Sequence, residues 1–137
     1  MKYVMAVLLA AAGLTTGCGR AYEPIDYGKD ACAHCKMTII DARFAAELIT
    51  PKGKVYKFDD ISCMRALTTE LPGSMLFVND YTATQVTPLN AATAVYLKHE
   101  SFSSPMNGNL AAFGSTGAAK PLQDSLQLEL LTWETLP

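Results

Sequence analysis

The sequence predicts a single α+β domain made of two related ββα-type halves. Three observations carry that expectation. The hydrophobic pattern switches from a period of two to a helical period twice along the chain, each time in the order strand, connection, strand, helix. The spacing is similar in the two stretches, although the residues themselves hardly repeat. With the first 17 of its 137 residues removable as a signal, about 120 residues remain, enough for one core and no more.

The N-terminus justifies that removal. Lys2 precedes an apolar run from Val4 to Ala12, followed by Gly13-Leu14-Thr15-Thr16-Gly17-Cys18, the pattern of an export signal with small residues before a cysteine. The run is well short of the ~20 residues a spanning helix needs. Its end resembles a bacterial lipobox, which makes Cys18 the candidate for lipidation, although Thr15 stands where leucine is usual. Lys2 is the only charge in residues 1–17, so cleavage takes the formal charge from −2 to −3. A mildly acidic chain without a basic patch is no nucleic-acid binder. The expected division is therefore a signal over 1–17, a lipid-anchored tether over 18–28 and the α+β domain over 29–137. Pro24, mixed charges and the absence of periodicity suit the tether, with Tyr22 and Tyr27 able to dock on the domain.

In the first half, Arg43 to Thr50 alternates loosely, Pro51-Lys52-Gly53 supplies turn chemistry, and Lys54 to Phe58 alternates cleanly, which predicts a hairpin. Asp59 or Asp60 can then cap a helix whose apolar stripe is Ile61, Met64, Leu67 and Leu71, ended by Pro72-Gly73. Met75 to Val78 reads as a short strand, and the stretch through Pro88 as loop. In the second half, Ala94 to His99 and Leu110 to Phe113 read as strands around a polar loop, and Ser115 to Leu126 as a helix weakened by Gly117 and Pro121. Gln127 to Trp133 alternates as a closing strand.

The chemistry concentrates in Cys32-Ala33-His34-Cys35-Lys36-Met37, where two thiols, an imidazole and a thioether fall within one short run. Thiolate and thioether sulfur select Cu(I) over hard cations, whereas zinc takes thiolate and imidazole but has little use for methionine. Met37 therefore favours copper. On an extended stretch, Cys35 and Met37 would share a face. Lys36 places a cation beside the thiol, which should favour thiolate. In the second half, Ser104-Pro105-Met106-Asn107-Gly108 sets another thioether in a loop fenced by proline and glycine. Paired halves would let Met106 line the same groove. If Cys18 carries lipid, Cys32, Cys35 and Cys63 remain, an odd number. One arrangement is a Cys32–Cys35 disulfide with Cys63 buried as a small apolar residue; Met64, on the helix stripe, is expected in the core.

Cys35-Lys36-Met37, the run Asp41 to Glu47, Phe58-Asp59-Asp60 with Cys63-Met64, and Ser104 to Gly108 through Ala112-Phe113 resemble, in order and spacing, the NosL family of nitrous oxide reductase accessory proteins. The resemblance spans nearly the whole mature chain. It implies a periplasmic copper-binding lipoprotein, a metallochaperone that delivers Cu(I) for assembly of nitrous oxide reductase copper centres, with that enzyme and its maturation machinery as partners. It implies a fold similar to that of organomercurial lyase. It marks Cys35, Met37 and Met106 as Cu(I) ligands, with Cys32 and His34 as secondary candidates. Many relatives have glycine where this chain has Lys36. By resemblance to sorted lipoproteins, Gly19 after the lipid cysteine, where aspartate would signal retention, implies the outer membrane.

Two other readings compete. A thiol–disulfide oxidoreductase would use the Cys-x-x-Cys pair, but such motifs open a helix, and here Met37-Thr38-Ile39-Ile40 continues as an apolar, β-branched run. Structural zinc through Cys32, Cys35, Cys63 and His99 fits no compact finger spacing and leaves Met37 and Met106 unused. Neither histidine has a nucleophile-and-carboxylate setting in the sequence, so the expectation is a carrier and not an enzyme.

Overall fold

The computed structural model describes residues 20–137. The signal segment 1–17, Cys18 and Gly19 lie outside them. The elements are β1 (Ala46–Ile49), β2 (Val55–Phe58), α1 (Ile61–Thr68), β3 (Met75–Asn79), β4 (Pro88–Asn90), β5 (Val95–Lys98), β6 (Leu110–Phe113) and α2 (Thr116–Leu126), with short 3-10 turns at Glu100–Phe102 and Trp133–Thr135. One antiparallel sheet runs in the order β2-β1-β3-β4 and a second is the β5-β6 hairpin. Two ββα units, β1-β2-α1 and β5-β6-α2, are therefore present, joined by β3 and β4. The bridge between Asp80 and Ala112 stitches the two sheets together.

Alternation explains where the core sits. Ala46 and Leu48 of β1 pack with Phe58, Val78 and the α1 residues Ile61 and Met64. In the β5-β6 hairpin the period of two divides the side chains between two cores. Tyr96, Leu110 and Ala112 join the first core, while Leu97, Ala111 and Phe113 form the second with Phe44, Phe102 and Ala119. Asp60 caps α1, its carboxylate accepting from the Ser62 N–H at 2.9 Å, and Ser115 caps α2 through the Ala118 N–H.

The structure corrects the expected elements at three places. Residues 20–28 are not a free tether. Ile25 is buried at 6% exposure, Tyr22 meets Phe77 edge-on at 5.8 Å, and the Glu23 N–H donates to Glu47 at 2.8 Å. This strap covers the side chains that alternate away from α1, so the folded unit begins before residue 29. Gln127 to Trp133 is not a strand. Only Leu131 bridges to Tyr96, because Leu130 and Leu131 turn to different cores and Thr132 opens a 3-10 turn. Finally, Pro88–Asn90 pairs with β3 as an edge strand, a position where proline's missing donor is harmless.

Candidate metal centre

The sulfur-rich run folds as a tight loop. The Cys32 N–H donates to the Met37 carbonyl at 2.8 Å and the Lys36 N–H to the Cys32 carbonyl at 3.0 Å. Ala33 to Cys35 form the turn between, and Lys36 closes it in the left-handed region at φ 68. Cys35 and Met37 are thus not on one extended face. The turn is pinned to the end of β2 by the Ala33 N–H, which donates to Lys57 at 2.8 Å. That contact aims the loop at the β2–α1 junction, where Asp59 is 1% exposed and Cys63, in the first turn of α1, is 3% exposed.

Four ligand atoms meet there. The sulfurs of Cys32, Cys35 and Cys63 and a carboxylate oxygen of Asp59 all lie within 4.8 Å of one another. All three cysteines are free thiols. Cys35, the half-buried one, donates to both Asp59 oxygens at 3.3 and 3.4 Å. Burial, then the neighbouring Cys32 thiol and Asp59, push the Cys35 thiol up, against the Met37 N–H, which pulls it down. Burial, with Cys32 and Asp59 adding to it, pushes Cys63 far up. Lys36 does not produce the expected thiolate, because its ammonium is spent on the Ala33 carbonyl at 2.6 Å. A metal entering this cluster must therefore displace protons from sulfur.

Asp60 ties the second half to the same corner. One of its oxygens accepts from Ser62, by the N–H at 2.9 Å and the hydroxyl at 2.7 Å. The other accepts from the Ser104 hydroxyl at 2.6 Å and the Met106 N–H at 2.9 Å. Gly108 lets the loop approach, since a Cβ there would stand 2.6 Å from Asp60 and Ser62. Consecutive aspartates thus hold the two loops, Asp59 through the Cys35 thiol and Asp60 through the Met106 main chain.

Of the residues the sequence nominated, Cys32 and Cys35 are brought together. Met37 and Met106 are large apolar side chains left 49% and 41% exposed, each held by its main chain beside the cluster. His34 is exposed in the turn and outside the cluster. His99 is occupied with Ser101, 2.7 Å from its Nδ1, so the zinc set built on it is not assembled. Asp59 was missed, and Cys63 was named as a ligand only in the zinc reading. Asp59 was legible as one of two consecutive aspartates of which only one can cap a helix, leaving the other to another task. Cys63 is buried as expected, but among thiols and not as a mere apolar residue.

Two ββα units with three thiols and a carboxylate converging at the head of a helix define a small α+β protein with a preformed, sulfur-rich metal-ligand set. The chain belongs to the NosL family, whose sequence model matches residues 25–136. Among solved structures its fold is similar to that of the copper chaperone NosL from Shewanella denitrificans, with a TM-score of 0.68 at 20% identity over 85% of this chain and 96% of the other. No curated protein matches the chain.

Proposed function

We propose that this protein is a Cu(I)-binding metallochaperone that delivers copper for assembly of the nitrous oxide reductase copper centres. The observation that carries the reading is the thiol cluster of Cys32, Cys35 and Cys63, with the exposed Met37 and Met106 on the two loops anchored beside it. Soft, polarisable donors suit Cu(I). Cys35 is the indispensable thiolate in this reading, with Met37 and Met106 completing the set from either side and Cys32 in reserve. Thioethers are weak neutral donors that an incoming ligand displaces, so an ion held this way is handed on and not stored. The protein acts by transfer and not by catalysis. Membership of the NosL family and the likeness to the copper chaperone from Shewanella denitrificans support the same reading. Lipidation at Cys18 would hold the carrier on the periplasmic side of the outer membrane, raising its effective concentration for partners on that surface.

Asp59 favours one second reading. Three thiolates and a carboxylate make a tetrahedral set that zinc accepts. Anaerobic titration of the full-length protein in detergent separates the two. Cu(I) should be taken from a competing chelator and then pass to copper-free nitrous oxide reductase. Zn(II) binding without competitive Cu(I) uptake would establish the zinc reading, and copper that stays on the carrier would make it a store.

A further inference from the structure

Three thiols are more than the proposed outer Cu(I) position uses. That position takes one thiolate, Cys35, and leaves Cys32 and Cys63 facing each other at 1% and 3% exposure, with their sulfurs within 4.8 Å. Such proximity is within reach of disulfide closure by side-chain rotation, and neither sulfur is exposed to compete for it with a thiol from outside. Cys35 lies within the same distance of both sulfurs, but its thiol is engaged by the Asp59 carboxylate, to which it donates at 3.3 and 3.4 Å. It is also the member with access to solvent, so an ion arriving at the corner meets Cys35 first and the buried pair behind it.

From this arrangement we propose that Cys32 and Cys63 are a built-in reductant that converts arriving Cu(II) to the Cu(I) the carrier holds. The inference rests on the copper-carrying reading above. The step balances: two Cu(II) ions accept one electron each, the Cys32 and Cys63 thiols lose two electrons and two protons, and a Cys32–Cys63 disulfide forms. The protons are released to the buffer. One Cu(I) stays on Cys35, which releases a third proton to bind it as thiolate and is not oxidised, because the electrons came from the pair behind it. The other leaves. A Cys32–Cys35 disulfide would instead consume the outer ligand, so the product ion would have no thiolate to hold it.

The test uses the reduced full-length protein in detergent under anaerobiosis. Cu(II) is added while its paramagnetic resonance signal is followed, and disulfides are then mapped by peptide mass spectrometry. Loss of the signal from two Cu(II) per chain, with Cys32 joined to Cys63 and Cys35 still open to alkylation, is the expected result. In Cys63→Ala that reduction should fall to a small fraction. A persistent Cu(II) signal, a Cys32–Cys35 disulfide in the wild-type protein, or undiminished reduction by Cys63→Ala would each overturn the proposal. Cu(I) supplied directly to the same preparation tests the underlying reading apart. Its retention without any disulfide is expected, and failure to retain it would sink the carrier while leaving the Cu(II) result to be judged on its own.

Discussion

Cys35 stands between the buried thiols and solvent, and its thiol is the one that Asp59 accepts from. Replacing it with serine exchanges a soft thiolate for a hard, weak donor. Cys35→Ser should lose nearly all competitive Cu(I) uptake while the fold survives, as chelator competition and circular dichroism on one sample would show. Met106 makes the complementary case. Leucine keeps its volume and apolarity, so Met106→Leu should cost under about 1.5 kcal/mol of stability yet weaken Cu(I) retention. Unchanged affinity with a lowered melting point would retire Met106 as a ligand. At this scale the sequence was half legible. Cys32 and Cys35 announce themselves because they are close in the chain, whereas Asp59 and Cys63 join them only once the Ala33 N–H has docked the loop on β2. Lys36 misled for a related reason: its neighbour in sequence is Cys35, but its hydrogen-bond partner in space is a carbonyl.

Among the elements, those with local signals formed as expected. The first hairpin turns at Gly53, φ +84, and α1 starts at an aspartate cap, both written in a few adjacent residues. The strap and the false closing strand were not, since whether an irregular segment docks depends on which sheet face lies open. That face contains Glu47, fully buried, with one carboxylate oxygen bonded to the Glu23 N–H and the other without a partner. Burial raises Glu47 from its ordinary 4.5 to about 7, opposed by the hydrogen bond from the Glu23 N–H and by the Lys57 charge, with the Glu23 carboxylate adding the smallest push upward. Between those values the folded protein holds a proton that the unfolded chain releases, so this residue's contribution to stability falls as pH rises from 4.5 to 7 and stays low above. Glu47→Gln should accordingly be more stable than wild type at pH 8, with the difference shrinking by pH 5. Denaturant melts at both values would check it, and a pH-independent difference would refute the assignment. The Met106 loop offers a steric counterpart. Gly108→Ala would force a Cβ to 2.6 Å from Asp60 and Ser62, and such overpacking should cost about 1–3 kcal/mol with weaker copper retention.

In the whole molecule, the candidate centre lies where the two ββα halves meet. The thiols and both aspartates belong to the first half and to the loop before it, while Met106 belongs to the second. Without metal, the halves are tied at this corner by the Asp60 carboxylate, which accepts from α1 on one side and from the Met106 loop on the other. An ion held by Cys35 and Met106 together would add a second tie across the same seam. Ligand that binds only the folded state stabilises it by about 2.7 kcal/mol at a hundredfold excess over Kd. Anaerobic thermal melts should therefore show wild-type protein rising in midpoint with Cu(I) and Cys35→Ser showing almost no rise. Met106→Leu separates the two geometries at matched free Cu(I). If the ion spans the seam, this variant binds more weakly and its midpoint rises less than wild type's. An equal rise in both proteins would confine copper to the thiols of the first half and leave Met106 a packing residue.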